Sequence, residues 1–231
     1  MRGTIALMTI LLLALGAAAV TGAQELIWSE SFEDTEIGAH PAGWTTRYAS
    51  DHREDTGPRV VGPEVVQAAD GEKSLRLVDV QSGISAITNK DFTPLVKGRL
   101  VLDVMVPREN GGFLNVEIRI GGNRVFGVDM HRSNGVWRWR DEGDQLNASE
   151  VEFTYDEWHE LVIEWDANER IYHAYAKAED GTLVRFTPEG GAKFNVLRLG
   201  TPSRLELRVG ASTNTDLQIG YVDNIRLYRL D

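Results

Sequence analysis

The sequence predicts an all-β protein, an antiparallel β-sandwich of two sheets, and three observations lead there. Short runs rich in branched and aromatic apolar residues follow one another along the chain. Clusters of Gly, Asn, Asp and Pro separate them. Beyond the first two dozen residues no amphipathic stretch repeats at the helical period.

The first element is not a strand. Arg2 precedes an apolar run at 5–20, and Thr21-Gly22-Ala23 supplies the small residues of a signal-peptidase site. Residues 1–23 therefore read as a signal peptide cleaved after Ala23. The run is shorter than the roughly 20 residues of a membrane span, and no later segment is apolar enough to cross. The expectation is an exported protein, secreted or periplasmic, with no membrane span after cleavage. Residues 24–231 then form a single domain, a length one sandwich can fill.

Strands are expected at 26–32, 60–66, 74–78, 100–106, 113–120, 125–131, 136–140, 158–165, 171–176, 183–186, 204–209 and 219–228. Turn chemistry between them includes Asp70-Gly71, Gly121-Gly122-Asn123, Ser133-Asn134-Gly135 and Glu179-Asp180-Gly181. One hairpin can be registered by arithmetic. Leu114, Val116, Ile118 and Ile120 share a face, and after a three-residue turn Phe126, Val128 and Met130 recur at the same period. Pairing Ile118 with Phe126, Val116 with Val128 and Leu114 with Met130 brings both apolar faces together. The opposite face carries Phe113, Asn115, Glu117 and Arg119 beside Val125, Gly127, Asp129 and His131.

The stretch TYDEWHELVIEWDANERIYHAYA, residues 154–176, is dense in carboxylates and aromatics. Alternation puts His159, Leu161, Ile163 and Trp165 on one face and Trp158, Glu160, Val162 and Glu164 on the other. Asp166-Ala167-Asn168-Glu169 is a turn. The stretch reads as a hairpin whose acids are split between a loop, a polar face and a turn, although His159 and His173 could meet across it.

These same residues carry a resemblance. Residues 155–166, a Trp-His strand followed by alternating apolar positions and Asp166, resemble the corresponding strand of laminin-G-like domains of the concanavalin A-like jelly-roll superfamily. Ser31-Phe32-Glu33-Asp34 with Gly38, Pro41 and Gly43-Trp44, then residues 71–77, then residues 221–227, are similar to segments of its secreted bacterial members. The resemblance implies the jelly roll. It also implies a structural calcium ion tying the first and last strands, for which Glu33, Asp34 and Asp223 are the candidate ligands. Calcium asks for several oxygen donors, more carboxylates than these three residues supply.

A glycan-binding face is the second candidate. Sugars are held by aromatic platforms ringed with hydrogen-bonding groups, and Trp137 and Trp139 alternate with Arg138 and Arg140. If the tryptophan face joins Asn115, Glu117, Asp129 and His131, the six form a ligand-binding surface. The other reading buries both indoles and turns the arginines to water. Glu117 and Asp129, diagonal across the registered hairpin, are the weak catalytic candidates for an inverting glycosidase. The Glu-x-Asp-x-x-Glu strand of many jelly-roll glucanases is missing. Arg204-Leu205-Glu206-Leu207-Arg208 faintly resembles an alginate-lyase strand, but its companion motifs are missing too, so it reads as a strand with charges outward.

Composition narrows the rest. A formal net charge of −11 disfavours nucleic acid as a partner. The chain has no cysteine, which rules out disulfides and thiolate chemistry and fits a bacterial envelope or extracellular setting. No phosphate loop, dinucleotide fingerprint or metalloprotease spacing is present, so no organic cofactor is expected. The leading expectation is an exported non-catalytic module that binds a carbohydrate or another cell-envelope component. A carbohydrate-active enzyme, hydrolase or lyase, using the concave sheet face is the alternative, and a structural or protein-interaction domain the third. The oligomeric state is open.

Overall fold

Sixteen strands and no helix are found among the described residues of the computed structural model. Those are 24–47, 57–80, 85–131, 134–210 and 217–231. Residues 1–23, expected to be a signal peptide, lie outside them. In chain order the strands are β1 Gln24–Glu30, β2 Thr45–Arg47, β3 Gly57–Val61, β4 Ser74–Asp79, β5 Ala86–Asp91, β6 Lys97–Met105, β7 Leu114–Ile120 and β8 Asn123–His131. They continue with β9 Val136–Arg140, β10 Leu146–Glu152, β11 His159–Asp166, β12 Ile171–Lys177, β13 Leu183–Arg185, β14 Ala192–Lys193, β15 Arg204–Val209 and β16 Gln218–Leu230.

They form two open sheets whose strand pairs are antiparallel. One runs β13-β12-β11-β6-β16-β4-β3, with β1 added to β16 and β14 to β12; the other runs β10-β9-β8-β7-β15-β5-β2. This is the antiparallel two-sheet sandwich the sequence predicts. β16 is long because it pairs with β6 along one edge and serves two partners along the other. Its first half pairs with β4 and its second with β1, and a bulge at Asp223 to Arg226 marks the change. Asn224 takes the left-handed conformation there (φ 48°), one that asparagine tolerates better than most residues.

The core lies between the sheets. Leu100, Leu102 and Val104 of β6, Leu161, Ile163 and Trp165 of β11 and Tyr172 and Ala174 of β12 meet Leu114, Val116 and Ile118, Phe126, Val128 and Met130, and Leu205, Leu207 and Val209 of the other sheet. Trp165 fits because its register partner is Gly98: a Cβ there would stand 2.1 Å from the indole ring. The predicted register of the β7–β8 hairpin is observed, Ile118 opposite Phe126, Val116 opposite Val128 and Leu114 opposite Met130. Its turn differs. A bulge between Ile118 and Arg119 tightens the connection to Gly121-Gly122 and turns Val125, expected on the polar face, into the core.

Four strands escape the sequence pattern. β2 and β14 are very short, and β5 (Ala-Ile-Thr-Asn-Lys-Asp) and β10 (Leu-Asn-Ala-Ser-Glu-Val-Glu) are largely polar. β10 needs no second apolar face because it is a sheet edge paired only to β9. In the 154–176 hairpin Glu164 pairs with His173, while His159 lies on the opposite, inner face of β11; the two histidines do not meet.

Candidate functional site

The outer face of the seven-stranded sheet gathers four of the six predicted ligand-binding residues, Asn115, Glu117, Asp129 and His131. Register puts Asn115 beside Asp129, Asp129 beside Arg138, and Arg208 on the other side of Asn115, so one row crosses four strands. The neighbouring row pairs Glu117 with Glu206 and Glu206 with Asn89. His131 closes one end, its ring edge-on to Phe113 at 4.4 Å. Burial, then the nearby Arg138 charge, holds its imidazole pKa below the ordinary histidine value.

Trp137 and Trp139 are not on this face. Because Met130 pairs with Trp137 and Val128 with Trp139, both indoles point with those residues into the sandwich. Trp137 is 1 % exposed, stacked on Phe186 at 5.1 Å. The six-residue platform that would have used these tryptophans is therefore not assembled. The reason is the two-residue period of β9: a strand that turns Arg138 and Arg140 outward must turn its tryptophans inward.

What the face carries instead is a layer of ion pairs. Arg119 Nη1 lies 2.6 Å from Glu117 Oε2 and 2.7 Å from Glu206 Oε1, bridging the two carboxylates. Arg124 Nη1 donates to Glu117 Oε1 at 2.7 Å, and its other donors hold Asp144. Arg138 grips Asp129 with two parallel bonds, 2.7 and 2.9 Å, the bidentate geometry that suits a guanidinium. Arg208 reaches Glu206 at 3.4 Å. Burial, then the Glu117 charge across the strand pair, raises the Glu206 carboxyl above its ordinary value. Tyr172, from the facing sheet, accepts a hydrogen bond from the Arg140 N–H and donates to the Arg140 carbonyl, fixing the backbone from which that arginine projects.

The vertical order decides the chemistry. Glu117, Asp129 and Glu206 are 1 %, 2 % and 4 % exposed, so the carboxylates form a buried bed. The guanidiniums above them are partly exposed and form the upper layer. A cleft of about 280 Å³ opens in it, lined by Asn115, Asp129, Arg138, Arg140 and Arg208 and flanked by Phe113 and Leu146. Glu117 and Asp129, the weak catalytic candidates, are diagonal as expected, but each is saturated by its own arginines. The carboxylate pair the structure forms is Glu117 with Glu206, brought together by the pairing of β7 with β15 and bridged by Arg119, which lies 87 residues before Glu206.

The candidate calcium ligands are engaged otherwise. Asp223 Oδ2 accepts the Ala69 and Asp70 N–H groups and Oδ1 that of Asn224. Glu33 Oε1 accepts the Glu72 and Lys73 N–H groups, and Asp34 is exposed. The Lys73 ammonium donates to the carbonyls of Glu33 (2.6 Å) and Thr35 (3.0 Å), placing a built-in cation on this loop. Among the described residues no three His, Asp or Glu side chains are grouped to hold a metal. This donor set does not fit calcium. Lys73→Met is expected to lower stability by roughly 1–3 kcal/mol, since two part-buried carbonyls lose their donor. Calcium or EDTA is expected to leave the wild-type melting temperature unchanged; a rise with calcium would contradict this reading.

A second, larger cleft of about 710 Å³ lies where edge strand β10 approaches β11 to β13. Asp103, Glu152, Glu157, Glu160 and Glu179 line it with Trp158 and His159. Part of the carboxylate-rich 154–176 stretch thus faces a cavity, through partners on β6, β10 and β12 that local alternation cannot reveal. Glu160 is paired with Lys177 and Arg226.

The sequence matches no protein-family model and no curated protein sequence. Solved structures with the same fold include a sialidase (TM-score 0.64, 12 % identity, 88 % of this chain), of which the chain spans only 18 %. Others are a GH131 beta-glucanase catalytic domain from Podospora anserina (TM-score 0.58, 13 % identity, 88 % of this chain and 95 % of that one) and a non-specific endo-beta-1,3(4)-glucanase from family GH16 (TM-score 0.55, 11 % identity, 90 % and 92 %). The chain has the concanavalin A-like jelly-roll fold, and at these identities the likeness is one of fold.

Proposed function

We propose that this protein is an exported, non-catalytic module that binds a saccharide on the outer face of its seven-stranded sheet. The fold is shared with beta-glucanases, which supports a carbohydrate relation. The order of layers on the face carries the non-catalytic half of the reading. A glycosidase needs two carboxyl groups within reach of the scissile bond, and here the paired carboxylates lie beneath the guanidiniums they hold. Arginine donors, an amide and the Phe113 ring at the cleft are suited to grip hydroxyls and a ring face.

One observation favours the enzyme reading. Glu117 and Glu206 share a single guanidinium nitrogen, at 2.6 and 2.7 Å, so two carboxyl groups are paired on this face, and the Glu206 carboxyl is raised as a general acid requires. A panel of plant, fungal and bacterial polysaccharides separates the two. The proposal expects saturable binding without release of reducing ends or unsaturated products, and binding weakened by Arg138→Ala. Product release abolished by Glu206→Gln would establish the enzyme instead, and a blank panel with folded protein would remove both.

A further inference from the structure

The ligand's chemistry can be taken one step further, resting on the reading of this face as a saccharide surface. We propose that the cleft of Arg138, Arg140 and Arg208 takes an acidic substituent, carboxylate or sulfate, of an anionic glycan. The charge balance of the lining leads to this. Three guanidiniums line the cleft beside one carboxylate, Asp129, which Arg138 already holds bidentately. At its margin Arg140 lies 3.8 Å from the Asp144 carboxylate and Arg208 3.4 Å from Glu206. The five arginines of this layer, Arg119, Arg124, Arg138, Arg140 and Arg208, still outnumber its four carboxylates, Glu117, Asp129, Asp144 and Glu206.

The donors left over point the same way. Arg138 uses Nε and Nη2 on Asp129, Arg140 uses Nη1 on the Asp144 carbonyl, and Arg208 uses Nη2 on Glu206. Among the described residues, Arg138 Nη1, Arg140 Nη2 and Arg208 Nη1 have no protein acceptor. That excess of one guanidinium leaves the layer able to take an anion, and the Arg140 pKa is lowered by burial and then by the Arg124 charge. A forked guanidinium binds a planar carboxylate or a sulfate through two parallel bonds, which a neutral hydroxyl cannot match. Phe113, against whose ring the Arg138 guanidinium lies at 5.5 Å, provides an apolar wall beside the charge. The rest of the chain contrasts with this cleft: the protein is acidic as a whole, and the larger cleft at the β10 edge is lined by carboxylates. That second cleft would repel the ligand this one attracts.

Matched saccharide pairs test the proposal by titration calorimetry on the full mature chain. Oligogalacturonate is compared with its methyl ester, which removes the carboxylate charge. Sulfated galactan oligosaccharides are compared with their desulfated forms. The expected result is that the acidic member of at least one pair binds about tenfold or more tightly than its neutral partner, with affinity falling as salt rises. The responding pair identifies carboxylate or sulfate. Arg208→Gln and Arg140→Gln, checked for folding by circular dichroism, should erase the preference, and Arg208→Lys should restore only part of it because the fork is gone. Equal binding of acidic and neutral members, or a preference untouched by both Gln variants, overturns the acidic-ligand inference and leaves the saccharide reading standing. Absence of binding by every saccharide overturns the saccharide reading, and this inference with it.

Discussion

Arg119→Ala is expected to be among the most damaging single substitutions in the protein, costing roughly 3–5 kcal/mol of stability, the range for stripping one partner from a buried ion pair. Its guanidinium stands between Glu117 and Glu206, which face each other across β7 and β15 with almost no access to water. Without it, two buried like charges are left opposite one another. Arg124 still neutralises Glu117, but Glu206 keeps only the longer contact to Arg208. Glu206, whose carboxyl is already raised, would take up a proton to relieve the repulsion. The variant's deficit should therefore shrink as pH falls, and a second change, Glu206→Gln, should recover part of it. Urea melts of wild type, the single variants and the double variant measure this coupling directly. A loss below about 1 kcal/mol would mean the ion-pair layer is not what orders this face.

The second large effect is on the pH profile of stability. Asp223 is fully buried at the bulge of β16, and burial pushes its carboxyl up to about 6 despite three backbone N–H donors. Asp103, its neighbour in the β6–β16 register, is raised by burial as well. A group that binds its proton more tightly folded than unfolded favours the folded state while it is protonated. Its contribution is therefore complete at low pH and is lost as pH rises from about 4 to about 6. For Asp223 alone this amounts to about 3 kcal/mol. Asp144 and Asp91 act oppositely: arginine partners hold their carboxyls below the usual range, so their contribution fades only in stronger acid. The Asp223 contribution alone is expected to decline between pH 4 and about 6, against a rise from His40, His131 and His173, whose pKa values burial lowers. Asp223→Asn should flatten that decline while lowering stability overall, because an amide offers the three N–H groups one acceptor oxygen where the carboxylate offers two. A stability difference between wild type and Asp223→Asn that does not change between pH 4 and pH 7 would contradict the assignment.

What is legible in the sequence follows from the range over which each force acts. Alternation within β7 and β8, joined by a short turn, determines which residues share a face, so Asn115, Glu117, Asp129 and His131 can be grouped from residue order alone. The bulge that turns Val125 inward is hidden, because inserting one residue shifts the alternation without disturbing the apolar count. Trp137 and Trp139 can be placed on one face together but not assigned to the inside or the outside. Only the register with Met130 and Val128 decides that, and both readings have apolar and polar surface to satisfy. Glu206 is the site residue that sequence reasoning misses. Its strand is recognisable, with charges outward, but its pairing with β7 is non-local, and nothing in Arg-Leu-Glu-Leu-Arg names the neighbour. Lys73 escapes for a similar reason: a lone lysine after a turn carries no sign that two carbonyls from a loop nearly 40 residues earlier meet its ammonium.

The most direct test of the account follows the side-chain Nε–Hε NMR signals of Arg138, Arg140 and Arg208 while a saccharide found by the polysaccharide panel is titrated in. These three signals are expected to move together and saturate with the binding isotherm, while the indole signal of buried Trp137 stays still. Shifts confined to the Trp158 indole and the carboxylate-lined cleft at the β10 edge, with the arginine signals unmoved, would place the binding surface elsewhere and contradict the central claim.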